Sequence, residues 1–283
     1  MSRRRTTDPD QYSLADNYPA APEGPVVRVR ATVAYDGSEF RGFAPNDGVR
    51  TVGGSLRDAL ERVLGHRVEL TCAGRTDSGV HGWGQVISFD ATADRFDAEQ
   101  LSEALNGICG PTIAVREVVA AEPDFDARFS ATRRTYRYTV LNSVVPNPFV
   151  VSTAWHVAQP LDGSAMVLAC DPLIGEHDFA AFCRRPKRPD GDPEASLVRR
   201  VLDARWDDLG DGLLRFEITA NAFCHQMVRS IVGLMVAVGR GKVRAGEVAE
   251  IIGSGDRSRV PDLAPPHGLC LWRVDFDGPR YGP

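Results

Sequence analysis

The chain has 283 residues, 43% hydrophobic and 25% charged, close to globular averages, so one large core or two ordinary ones can be filled. With 38 acidic against 33 basic residues the formal net charge is -5, which excludes wholesale coating of a polyanion and leaves nucleic-acid contact to local basic patches. The longest apolar run, 231–238, is too short for a bilayer, and no signal peptide follows Arg3-Arg4-Arg5, so a cytoplasmic protein without membrane contact is expected.

Residues 1–25 mix Pro, Asp, Ala and Arg without a hydrophobic period and are expected to form a disordered tail. Val27, Val29, Ala31 and Val33 then alternate with Arg28, Arg30 and Thr32, the pattern of a half-buried strand. The spacing of Leu56, Ala59, Leu60, Val63 and Leu64 predicts a helix from about residue 53 to 64, capped by Thr51 or Ser55 and ended by Gly65. Val68, Leu70 and Cys72 alternate before a glycine-rich loop, and Val86, Ile87 and Phe89 mark a third strand. Asp97 caps a helix through Leu101, Ala104 and Leu105, with Gln100 placed for a capping box, and 113–119 reads as a fourth strand. This β-α-β-β-α-β order is that of the ferredoxin-like split unit.

A linking strand follows, in which Tyr136, Tyr138 and Val140 alternate with Arg and Thr. A similar order then recurs: extended at 155–157, helical at 165–174, strands at 197–206 and 213–218, helices at 223–238 and 247–252, and a strand at 269–276. The reading is an α+β protein of two ferredoxin-like (RRM-like) halves, 26–145 and 146–283, whose antiparallel sheets join around a central cleft.

Chemistry concentrates in the loop Gly74-Arg75-Thr76-Asp77-Ser78-Gly79-Val80-His81-Gly82, where glycines surround one acid and one base. Glycines allow sharp turns and close approach of another molecule; an ordinary hairpin with Asp as turn residue would read the same way. A nucleotide-triphosphate loop is excluded, because G-x-x-x-x-G-K is absent. A hydrolase built on Asp77 and His81 lacks the strand–nucleophile–helix signature. Far along the chain, between Glu217 and Arg240, only Arg229 and the titratable His225 interrupt a nearly uncharged stretch. Phe223, Met227, Ile231, Leu234 and Val238 form its apolar stripe, so the helix is expected to be buried. A buried Arg229 then requires a carboxylate, and any acid would serve.

Two further segments suit nucleic acid. Arg128, Arg133, Arg134 and Arg137 interleave with Phe129, Tyr136 and Tyr138, offering phosphate contacts and stacking, although the aromatics could equally face the core. Arg184, Arg185, Lys187 and Arg188 lie in a Pro-rich loop that could grip backbone phosphates. The six cysteines contain no C-x-x-C pair and no finger-like Cys/His spacing; no metal site is expected, and the thiols are read as reduced and mostly buried.

Five ordered blocks resemble the tRNA pseudouridine synthase A family: Ala34-Tyr35-Asp36-Gly37-Ser38, Cys72 through Val86, Phe125 through Tyr138, Asn221-Ala222-Phe223 with Met227 through Gly233, and Gly268-Leu269-Cys270-Leu271-Trp272. The resemblance runs from about residue 27 to 277. It implies the pseudouridine synthase fold, a homodimer, a cofactor-free isomerisation, and tRNA as partner, with uridines 38 to 40 of the anticodon arm as targets. By motif match Asp77 is the catalytic aspartate, Arg75 its companion in the loop, Tyr136 the residue contacting the target base, and Arg229 the arginine that pairs with the aspartate. An adjacent guanidinium favours the ionised carboxylate that such chemistry needs. The chain departs from the family at Gly42-Phe43-Ala44, where Gly-Trp-Gln is usual, and at Arg50-Thr51-Val52-Gly53, where Arg-Thr-Val-Gln is usual; both bear on how RNA is held. The alternative is a homologue that binds or chaperones RNA without modifying it.

Overall fold

Strand alternation and two amphipathic layers produce one mixed ten-stranded sheet carrying five α-helices in a computed structural model that describes residues 18–46, 48–185 and 196–279. Most of the expected tail, together with Lys187 and Arg188, lies outside the described residues. The first half runs β1 (Val26–Tyr35), α1 (Val52–Leu64), β2 (Thr71–Cys72), β3 (His81–Thr92), α2 (Ala98–Cys109) and β4 (Ile113–Ala120). After the linking strand β5 (Arg133–Asn142), the second runs β6 (Trp155–Val157), α3 (Gly163–Leu168), β7 (Gly175–Asp178), β8 (Val198–Asp208), β9 (Leu213–Ala220), α4 (Met227–Gly239), α5 (Glu247–Ser254) and β10 (Leu269–Asp275).

Local chemistry sets most boundaries. Thr51 caps α1 by accepting from Gly54 N–H, and Gly65 ends it in the left-handed conformation. Asp97 caps α2 through the N–H groups of Glu99 and Gln100, while the Gln100 amide reaches the Asp97 carboxylate rather than its backbone. The second strand is shorter than its alternation suggests, because Val68 N–H donates to the Glu61 carboxylate instead of joining a ladder. The helix expected over 165–174 stops at Leu168, and Pro172 sits in a tight turn beyond it. Likewise α4 begins at Met227 rather than 223, because Gln226 is left-handed with φ 67°.

The strand order is β4-β1-β3-β10-β5-β9-β8-β7, with β2 on β3 and β6 on β5. Thus β5 lies among strands of the second half, between β10 and β9. The seam between the halves is the short parallel pairing of β10 with the start of β3, Cys270 opposite His81 and Leu271 opposite Gly82. That edge of β3 changes partner: β10 takes its first residues and β2 takes Ile87 and Ser88. The loop 73–80 fills the gap between them.

Two cores flank the seam. Leu56, Leu60, Leu101 and Leu105 pack on Val29, Ala31, Ile87 and Phe89; Ile231, Leu234 and Met235 pack with Tyr138, Phe216, Ile218 and Leu271. Each fully buried side chain of this kind stabilises by roughly 1.5–3 kcal/mol. Every residue of α4 is buried except Arg229. At Gly233 the helix touches backbone, and a Cβ there would stand 1.8 Å from the Asp262 carbonyl oxygen. Gly233→Ala should therefore destabilise the chain by about 1–3 kcal/mol through overpacking, read as a lower Tm in thermal unfolding. An unchanged Tm would mean that segment 262–264 moves away freely.

Candidate active site

The loop 73–80 is held from several sides before any of its charged groups is considered. Thr76 C=O accepts from Phe43 N–H at 3.0 Å, and the Thr76 hydroxyl bonds the buried Tyr35 hydroxyl at 2.8 Å. The Gln85 side chain closes the loop base, accepting from Gly74 N–H and donating to Gly74 C=O. Gly42 has φ +96°, and a Cβ there would come within 2.9 Å of Thr76 O, so only glycine lets this neighbouring segment lie so close. Phe43 is buried against Tyr35. The Gly-Phe-Ala departure thus falls on the support of the loop, with Ala44 lining the adjoining cleft.

Asp77 lies at the centre of this loop with its side chain 29% exposed. Its Oδ2 is 3.4 Å from Arg229 Nη1, across 152 residues of sequence. The Arg229 side chain is 12% exposed, and its Nε donates to Ala264 C=O at 2.7 Å. The contact is long for a charge-assisted bond, so charge rather than tight hydrogen bonding carries it. On the other side, His225 Nε2 is 3.3 Å from Asp77 Oδ1. His81, four residues after Asp77, is committed elsewhere. Its Nδ1 accepts from Gly37 N–H, and its Nε2–H reaches the carbonyls of Ser152 and His267.

These groups open into a cleft of about 1270 Å³, larger than the usual small-molecule pocket. Among the described residues seven arginines line it against two carboxylates, Asp77 and Asp126. Tyr136 forms part of the wall, its ring edge-on to Phe223 at 5.0 Å. Burial raises the Tyr136 phenol's pKa, so it stays protonated. Burial also pushes the Cys72 thiol in the wall up to about 11, leaving it a poor nucleophile at neutral pH.

The basic residues singled out in the sequence are divided by the sheet. Arg75, Arg128, Arg134 and Arg184 line the cleft. The Arg134 guanidinium is engaged by the carbonyls of Ala73, Asn221 and Arg128, bracing three segments. Arg133 and Arg137, one residue to either side of the Arg134–Tyr136 pair, fall on the opposite face by strand alternation. There Arg137 bonds Glu217 and lies 3.8 Å above the Trp272 ring, while Arg133 meets Asp275. Arg185 is described but does not line the cleft.

Residues absent from the sequence reading of the site are His225, Arg41 and Arg199, while Phe129, named there only among the interleaved aromatics, also lines the cleft. Phe129 stands at the rim with 72% exposure, its ring 5.2 Å from the Arg128 guanidinium. A signal for His225 existed, since it and Arg229 alone break the uncharged stretch before Arg240. Cys183 and Cys224, 41 residues apart in sequence, are brought side by side with Cα atoms 5.7 Å apart, a proximity that spacing alone could not reveal.

The family described as tRNA pseudouridine synthase matches residues 31–130 and 169–277, which contain Asp77 and Arg229. This match over most of the chain defines the class, an isomerase of the pseudouridine synthases. The tRNA pseudouridine synthase A of Frankia casuarinae is 41% identical over 257 residues, covering 89% of this chain and 90% of its own. Those of Pseudothermotoga lettingae, at 39% with 88% and 99% covered, and Bacillus subtilis, at 37% with 89% and 100% covered, are comparably similar. The chain belongs to the tRNA pseudouridine synthase family.

Arg229 must satisfy Ala264 O through Nε and Asp77 through Nη1 at once, a fork that lysine cannot reproduce. Arg229→Lys should lower turnover by at least about tenfold while shifting Tm little. Wild-type turnover in this variant would show that a point charge is sufficient.

Proposed function

We propose that this enzyme isomerises uridine to pseudouridine at positions 38–40 of the tRNA anticodon stem-loop, with Asp77 as the catalytic carboxylate. The observation that carries the proposal is the carboxylate at the base of a cationic cleft, braced by Arg229 and walled by Tyr136. The reaction breaks the N1–C1′ bond, turns the uracil and forms a C5–C1′ bond; the proton leaves C5 and N1 ends protonated. Asp77 acts as nucleophile or as stabiliser of the positive charge that develops on bond cleavage. The target nucleotide leaves the stack to enter the cleft, where Tyr136 contacts the base and Arg75, from the same loop as Asp77, holds the flipped nucleotide. Arg128 and Arg184 take neighbouring phosphates.

The order β4-β1-β3-β2 in the first half is repeated by β10-β5-β9-β8 in the second, with β6 and β7 added, which supports reading both as ferredoxin-like units of order 4-1-3-2. The reading also includes a cytoplasmic homodimer. Exposed Val144, Val145, Phe149 and Val151 on one loop support a partner surface, because a soluble protein rarely leaves such a cluster uncovered.

Asp77→Asn should abolish tritium release from [5-³H]uridine-labelled tRNA while leaving tRNA affinity nearly unchanged. Release at the wild-type rate would remove Asp77 from the reaction. Affinity of the wild type should fall as salt rises, because phosphate contacts release counterions. A flat response in filter binding would show that the arginine-lined cleft is not the RNA surface.

A further inference from the structure

Arg229 alone fixes only one oxygen of Asp77, through a 3.4 Å contact. Rotation of a carboxylate about its last bond is soft and roughly two-fold, so a single loose partner leaves the attacking oxygen poorly defined. The opposite oxygen, Oδ1, faces His225 Nε2 at 3.3 Å. The imidazole lines the cleft, with the side chain 43% exposed.

The backbone carrying His225 is held with unusual thoroughness. Gln226, the next residue, has φ 67°, a left-handed conformation uncommon for a side chain with Cβ and maintained only where surroundings enforce it. Two ties do so here. Gln226 Oε1 accepts from Arg257 Nη2 at 2.9 Å, and His225 C=O accepts from Arg184 N–H at 2.9 Å. Such ties, converging on two adjacent residues beside the cleft, fit a side chain whose position matters.

We infer that His225 is a positioning residue for Asp77, holding Oδ1 through its Nε2–H while Arg229 holds Oδ2, so that the carboxylate presents one orientation to the substrate. The inference rests on the reading of Asp77 as the catalytic carboxylate. Both the neutral Nε2–H tautomer and the imidazolium can supply this donor, so the role calls for an N–H at that point and not for proton transfer.

The test uses the full-length protein and single-turnover tritium release, with tRNA affinity and Tm measured in parallel. His225→Ala and His225→Phe should each slow the chemical step by about 10- to 100-fold, the size expected when a reacting group is slightly misplaced. Their tRNA Kd should stay within about twofold of wild type, separating rate from binding. His225→Gln, which returns an amide N–H near the position of Nε2, should recover most of the rate. The inference is overturned by a wild-type rate in His225→Ala, by a rate loss matched by lost tRNA affinity, or by His225→Gln no faster than His225→Phe. Asp77→Asn in the same assay separates the two readings. If it is inactive while His225→Ala is unimpaired, only the role of His225 falls; if it turns over, the assignment of Asp77 falls first.

Discussion

The contact between Asp77 and Arg229 ties together parts of the chain that share no local structure. Arg229 is the one incompletely buried residue of an otherwise buried helix, and a guanidinium so placed needs an anion and a carbonyl to replace water. Asp77 supplies the first and Ala264 the second. Because packing of α4 against Phe216, Ile218 and Leu271 sets where Arg229 stands, the second core determines the environment of a loop that belongs to the first. The loop is meanwhile fixed by Tyr35, Phe43 and Gln85 of its own half. Small errors of packing on either side of the seam would therefore be felt at one carboxylate.

A protein of net charge -5 can still offer a polyanion a favourable surface if its charges are sorted by location. The sheet does this by alternation. On the face away from the cleft, Arg137 and Arg205 share Glu217, and Arg133 and Arg273 meet Asp275. In the cleft, arginines outnumber carboxylates, and low-dielectric walls concentrate their field. The tension between global acidity and a nucleic-acid substrate is resolved by distribution rather than by total.

Elements with strong periodicity or explicit caps were legible in the sequence: β1 from its alternation, α1 between Thr51 and Gly65, α2 from Asp97. The four-residue β7, Gly-Glu-His-Asp, was not, because it has no apolar alternation and exists only by pairing with β8. Residues 223–226 read as helix because their apolar spacing continues that of α4, yet tertiary ties hold Gln226 out of it. At the site, the need of Arg229 for an acid followed from burial alone, while the choice of Asp77 came from a family resemblance. The division of Arg133, Arg134 and Arg137 between two faces was implicit in strand parity, but which face bordered the cleft depended on distant helices. The proximity of His225 to Asp77 and that of Cys183 to Cys224 are products of the assembled fold.

The order of strands has a consequence for biosynthesis. The strand that bridges the halves, β10, is the last among the described residues, yet it sits in the middle of the sheet between β3 and β5. Segment 264–265, just ahead of it, supplies the carbonyls received by Arg229 and Tyr138. A nascent chain emerging from the ribosome can build its first core early, but the surroundings of Asp77 stay incomplete until β10 has been made. A stop ahead of β10 would thus leave two partly formed lobes without the stitch that aligns them.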